Sequence, residues 1–396
     1  MIPEIRAHFN QAFTAQAYQN LLDSISEECH MKPLFRVAET PVFIDKEMKQ
    51  KLEQACDDVV SAILRPDFKE LSQSALLPGQ IVPNETAHTT FLVVDFGICL
   101  EKDGSLSPKL IEVQGFPSLY FFQDMVAGHY RQHFPVPDHF THLFGGRTSE
   151  EYLELMRQVI VGDSHPENVI LLEIEPEKQV TGIDFYVAQQ KIGIAPVCIS
   201  KVSVEGRNLF YEKEGRKIQI EKIYNRVIFD ELHKRDDLKR DFDFAQEYNV
   251  QYIGHPNWFF RISKHTLPLI DSPYAPKAYF LKDLAQLPDD LENYVLKPLF
   301  SFAGMGVIID VTREIIEDIA DKDNYILQEK VTYAEVIPTP NVPAKCEIRM
   351  LMVWPDGAEK PILVNNLARL SKGIMIGVRY NKDKDWVGGS VCYFEE

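Results

Sequence analysis

The chain has 396 residues, enough for two or three domains of about 150 residues or for one large intertwined unit. Hydrophobic residues make up 45% and charged residues 26%, which excludes disordered and collagen-like chains. With 59 acidic against 42 basic residues the formal charge is −17, a field that repels phosphate backbones and anionic lipid, so neither nucleic-acid nor membrane-surface binding is expected.

In chain order, MIPEIRAHFNQAF carries no apolar stretch of signal-peptide length, and no run approaches the roughly 18 apolar residues of a spanning helix. The six cysteines (29, 56, 99, 198, 346, 392) form no CxxC pair, which argues against a zinc cluster or disulfide scaffold. The cytoplasm is the expected compartment. The chain opens with helices. Asp45 is a candidate N-cap for a segment with Met48, Leu52, Ala55, Cys56, Val59, Val60 and Ile63 at helical spacing, stopped by Pro66. FLVVDFGICL (91–100), the turn KDGS and KLIEVQG (109–115) predict a β-hairpin, followed by a helix over 118–133 and a Pro/His/Gly-rich connector. From 151 to 255 strands alternate with helices (EEYLELMRQVIV, NVILLEI, a helix near 180–191, IGIAPVCI, then a β pair ending in IEKIYNRVIF), the pattern of a small parallel α/β unit. Beyond it, YVLKPL and GVIIDV flank a short loop, TREIIEDIADK predicts a helix capped by Thr312, and NYILQEKV, EIRMLMVW and KPILVNNLARL are further strands.

Chemistry concentrates in a few of these segments. In YVLKPLFSFAGMGVIIDV (294–311) Lys297 lies in a strand before a loop holding Gly304 and Gly306. Glycines let backbone N–H groups approach phosphate oxygens and a lysine neutralises them, although a plain hairpin with a snorkelling lysine has the same pattern. Neither a P-loop nor a dinucleotide-binding GxGxxG is present. Lys264 lies between apolar neighbours, where a surface lysine at a helix start is the alternative. Period-two alternation puts Glu112 and Gln114 on one face of their strand, and Asp95 interrupts the apolar run of its partner. Buried carboxylates need a metal or a cationic partner, so Mg²⁺ and pairing to arginine both remain open. Glu347 and Arg349 share a strand face as an ion pair, and Arg369 either clamps a phosphoryl group or solvates a strand end. DFG at 95–97 lacks the other kinase signatures, and His129, His133, His139 and His142 lack a third zinc ligand at suitable spacing.

Taken in order, these segments resemble the ATP-grasp superfamily in its circularly permuted branch, the branch of eukaryotic-type glutathione synthetase and glutathionylspermidine synthetase, over about residues 90 to 385. The resemblance implies an α/β (α+β) ATP-grasp fold with an inserted parallel α/β domain. Residues 1–150 would carry the metal-binding strand pair and 151–255 the substrate-binding domain. The lid subdomain with the phosphate loop would span 256–330, and the rest of the core 331–396. It further implies ATP and two Mg²⁺ ions as cofactors, with Asp95, Glu112 and Gln114 as metal ligands. Lys264 and Lys297 would hold phosphates, along with the loop residues Ser301, Gly304 and Gly306. Gln328 (side chain), Glu329 and Lys330 (backbone) would contact adenine, and Glu335 the ribose. Tyr224 and Arg226 match a tyrosine–arginine segment, and Arg349 and Arg369 would face the transferred phosphate or acyl group. Gln114 replaces the usual Asn, Val93 an arginine found in some relatives, and Ser301 an acid of glutathione synthetases. The expected activity is an ATP-dependent carboxylate–amine (or thiol) ligase acting through an acyl phosphate on small-molecule carboxylate and amine substrates. The alternative is a non-catalytic ATP- or peptide-binding protein of the same fold. Relatives are often dimers, so a homodimer is the implied assembly.

Overall fold

The computed structural model describes residues 2–301, 305–373, 376 and 381–396. Its centre is a five-stranded antiparallel sheet in the order Gly388–Ser390, Ile362–Ser371, Lys345–Val353, Phe91–Leu100, Leu106–Gln114. Strands from residues 91–114 and from beyond 345 thus lie side by side. The sheet's two faces follow from alternation. Leu92, Val94, Phe96 and Ile98 join Met350 and Met352 in a core with Leu52, Val59 and Val60 of the helix Lys46–Ile63. That helix starts where its cap predicts: an Asp45 carboxylate oxygen accepts the Met48 N–H at 2.9 Å.

The opposite face is divided along its length. Phe91, Val93, Leu351 and Val353 pack with Phe121, Phe122 and Val126 of the helix Tyr120–His133. Two residues further along the same alternation, Asp95 stands opposite Arg349 and Gly97 opposite Glu347. One face therefore changes along its length from apolar to charged.

A second sheet is four-stranded and parallel, Gln251–Ile253, Lys222–Asn225, Val169–Glu173, Ala195–Cys198, with the helix Gly182–Ile192 as a crossover. An antiparallel meander (Ser203–Glu205, Asn208–Lys213, Arg216–Ile220) extends from it. The third sheet is antiparallel, Ala278–Phe280, Tyr325–Glu329, Tyr294–Pro298, over a small core including Leu296, Ile316 and Leu327. Its predicted neighbour GVIIDV does not form a strand. It meets Leu296 only through a two-bond bridge at Ile308 (3.0 and 2.9 Å) before Thr312 caps the helix Arg313–Asp318. Val42–Ile44 pairs parallel with Cys392–Glu395, which also pairs with Phe140–Thr141. The sequence analysis missed all three of these strands. Among the described residues no helix is long and apolar enough to cross a membrane.

Candidate functional site

The ladder between Phe91–Leu100 and Leu106–Gln114 is irregular at one place. Asp95 pairs with Glu112 and Phe96 with Leu110, so Ile111 is the extra residue of a β-bulge. Its carbonyl accepts a hydrogen bond from Lys297 Nζ at 3.0 Å, across 186 residues of sequence. Next to it Lys264 Nζ lies 3.1 Å from Glu112 Oε1 and also donates to the Ser301 carbonyl. Two lysines from separate segments therefore converge on two consecutive residues of the acidic strand. Lys264 begins the 3₁₀ turn Lys264–Leu269, capped by Ser263, and is buried rather than at the surface. Burial pulls the Lys297 amine down from the ordinary 10.5 to about 8; Lys264 adds to the fall and Glu112 opposes it.

Asp95 is fully buried. Arg349 grips it with both prongs of its fork, Nε to Oδ1 at 2.6 Å and Nη2 to Oδ2 at 2.7 Å, while Arg369 Nη2 reaches Oδ2 at 3.1 Å. Burial opposes ionisation of Asp95, yet the two guanidinium groups hold its carboxyl below the ordinary range. The same Nη2 of Arg369 lies 2.9 Å from Glu347 Oε2, and Arg349 Nη1 donates to Ser118 Oγ at 3.0 Å. Glu347 is held above the ordinary range by burial, against the pull of Arg369. Tyr333 Oη approaches Glu347 at 3.4 Å, and its ring lies over Gly97, where a Cβ would come within 2.6 Å of the ring. A side chain at position 97 would displace the tyrosine.

Of the two partners the sequence left open for Asp95, the structure supplies arginine. Both of its oxygens accept from guanidinium groups, so a metal ion at Asp95 would have to share or displace arginine. Glu112 and Gln114 remain half-exposed, with Gln114 Nε2 donating to Glu112 Oε2 at 3.0 Å. Among the described residues no group of three or more His, Cys, Asp or Glu is placed to hold a metal ion. His129 and His133 both meet Ser24 Oγ (2.9 and 3.0 Å), tying the helix Tyr120–His133 to Ala15–Cys29, and His142 ties a loop to the same helix through Asp124.

The remaining expected residues are distributed as follows. Gln328 is buried in the middle strand of the third sheet. The Glu329 N–H is bonded to Lys277 O at 2.9 Å and the Lys330 N–H to Asn293 O at 2.8 Å, so both backbone donors already serve the fold. Glu335 is exposed on the loop after Tyr333. Gly306 has φ +73 and packs so closely on Pro298 that only glycine fits without a shift. Gly304 lies outside the described residues. Tyr224 is wholly buried, and Arg226 is buried with its guanidinium 4.4 Å above the Phe116 ring. Ser118 and Tyr333, which the sequence analysis did not single out, carry no motif; Ser118 reaches the site from the loop after the acidic strand and Tyr333 through an isolated bridge to Cys99.

Neither a family model nor a curated protein matches this chain. Among solved structures, a glutathione synthetase-like effector (GSS30) from Globodera pallida in its apo form matches with a TM-score of 0.57 and 10% sequence identity. The match covers 97% of this chain and 98% of that one. At that identity the likeness is one of fold: a mixed α/β architecture similar along its whole length to a glutathione synthetase-like protein.

Proposed function

We propose that the chain is an ATP-grasp protein of the circularly permuted type and acts as an ATP-dependent carboxylate–amine (or thiol) ligase. The observation that carries this reading is the meeting of Lys264 and Lys297 at Glu112 and Ile111, 3.1 and 3.0 Å from the acidic strand. Phosphoryl transfer asks a protein for positioning and charge neutralisation more than for covalent help. Two buried amines beside the acidic strand, with the partly exposed Arg369 on the same sheet, fit that requirement.

In this reading a carboxylate oxygen attacks the γ-phosphorus of ATP, the bond to the β-phosphate oxygen breaks and ADP leaves. An amine then attacks the acyl carbon, loses its proton and expels phosphate, leaving an amide. Lys264 and Lys297 neutralise the phosphates, and Arg369, with side-chain exposure of 36%, turns its remaining N–H groups to the developing oxyanion. Arg349, committed to Asp95, fixes the floor beneath it. Glu112 and Gln114 fit the part of Mg²⁺ ligands, since this ion takes one or two carboxylates and completes its shell with phosphate and water; when bound it supplies further charge neutralisation.

The test is thermal stabilisation by Mg·ATP. A saturating ligand at about 100 times its Kd adds about 2.7 kcal/mol to stability, so an unchanged Tm with millimolar Mg·ATP refutes binding of this kind. The second reading, a nucleotide-binding protein without turnover, is favoured by the hold of Arg349 and Arg369 on Asp95, which a cation would have to share or displace. ADP release in a screen of acids and amines separates the two readings, because a binder shows the thermal shift and no turnover.

A further inference from the structure

Next to Glu112 and Lys264 the fold leaves a small pocket whose third charged group, Asp230, has no part in the reaction above. The rings of Phe116, Phe229 and Phe259 share its wall, and it encloses about 40 Å³. At roughly 10–15 Å³ for each water-sized group, that space holds about three such groups. Asp230 is half-buried on the short helix Phe229–Leu232 and makes no ion pair or side-chain hydrogen bond among the described residues. Glu112 is paired with Lys264 at 3.1 Å. Two carboxylates against one ammonium leave the wall with negative charge in excess. Arg226 stacks on Phe116 without lining the pocket, and its charge is opposed by that of Asp184. Phe116 and Phe259 stand at 77° with centroids 4.7 Å apart, and phenyl faces carry partial negative charge that attracts a cation.

We infer that this pocket is the subsite of the amine partner and takes a small primary ammonium, the ammonium ion itself or a short unbranched amine, with Asp230 as its counter-ion. The inference rests on the ligase reading for calling the occupant a substrate. Charge, lining and volume are its own ground. An ammonium N–H reaching Asp230 makes a charge-assisted hydrogen bond, and the ring faces replace part of the hydration that the cation gives up. Volume sets the upper limit. Methylammonium and ethylammonium fit the space, whereas a branched head such as tert-butylammonium, or tetramethylammonium with no N–H to give, exceeds it. An amino acid would add a further carboxylate to a wall that already carries excess negative charge.

The test is the Tm of the full chain at fixed ionic strength, with sodium chloride replaced stepwise by the chloride of methylammonium, ethylammonium, tert-butylammonium or tetramethylammonium. Methylammonium and ethylammonium should raise Tm saturably, at half-effect concentrations at least about 10-fold below those of the two bulky cations. Asp230→Asn keeps the shape and removes the charge, and should raise the ethylammonium half-effect concentration about 10-fold. Phe259→Leu removes one ring face and should raise it about 3-fold. No saturable shift, equal or tighter binding of the bulky cations, or an ethylammonium effect untouched by Asp230→Asn overturns the inference. A Tm shift with Mg·ATP but no preference for the small amines also overturns it and leaves the ligase reading intact. An Asp230-dependent small-amine effect without any Mg·ATP shift supports the pocket and removes the ligase reading.

Discussion

Replacing Lys297 by methionine probes the buried amine through the pH dependence of stability. In the folded chain the amine titrates at about 8, against an ordinary lysine value of 10.5. Between those values the unfolded chain binds the proton more strongly than the folded one. Wild-type stability therefore gains a contribution as pH rises through this window, and at neutral pH the full cost of holding a buried ammonium is present. Integrated from about pH 7.5 to 9.5, the contribution is about 2 kcal/mol. Methionine has a similar length and no charge, so Lys297→Met removes this dependence. The variant's stability relative to wild type should fall by about 2 kcal/mol over that interval, while the titration of other groups cancels in the difference. Urea unfolding of both proteins at three pH values measures it. A difference that stays constant with pH would show that Lys297 is not buried as a cation, and the phosphate-site argument would lose its strongest member.

Two further substitutions test the arginine end. Arg349→Met leaves Asp95 buried with only the shared Nη2 of Arg369, and should cost about 3–5 kcal/mol in urea unfolding; Arg349→Lys should recover less than half, because an ammonium cannot span both carboxylate oxygens. Gly97→Ala brings a methyl group against Tyr333 and should cost about 1–3 kcal/mol, a loss that Tyr333→Ala in the same chain reduces if the ring is the obstacle.

Most of the site's ingredients were legible in the sequence, and most of its pairings were not. Alternation places Glu112 and Gln114 on one face, and an aspartate in an apolar strand announces a partner; these local signals survive into the fold. Which partner it has depends on register. Arg349 faces Asp95 because Lys345–Val353 pairs with Phe91–Leu100 across about 250 residues, and no periodicity within either strand encodes that alignment. The bulge at Ile111 is equally silent, although it frees the carbonyl that Lys297 holds. The terminal strands Val42–Ile44 and Cys392–Glu395 were missed because three- and four-residue strands carry too few alternations to stand out. GVIIDV shows the opposite error: a β-rich composition whose only ladder partner among the described residues is Leu296.

The charges around Asp95 and Glu112 divide into a fixed end and an exchangeable end. Asp95, Arg349, Arg369 and Glu347 bond chiefly to one another, so a cation approaching Asp95 has to displace a two-pronged guanidinium from a buried carboxylate, a loss of about 3–5 kcal/mol. At Glu112 the exchange is balanced. A phosphate arriving beside Lys264 offers the ammonium a new anion, and the released carboxylate is free to take a divalent cation. Charge pairing is conserved on both sides of that swap, so under the proposed function Glu112 rather than Asp95 would couple cation to nucleotide. Glu112→Gln should accordingly lose most of the Mg²⁺ dependence of any ATP-induced Tm shift, at a stability cost smaller than that of Asp95→Asn because Glu112 is partly exposed. Asp95→Asn should cost about 3 kcal/mol or more before ligand is added, because it removes the anion between two buried guanidinium groups. Were Asp95→Asn to fold normally and lose only the Mg²⁺ effect, the assignment of these two acids would be reversed.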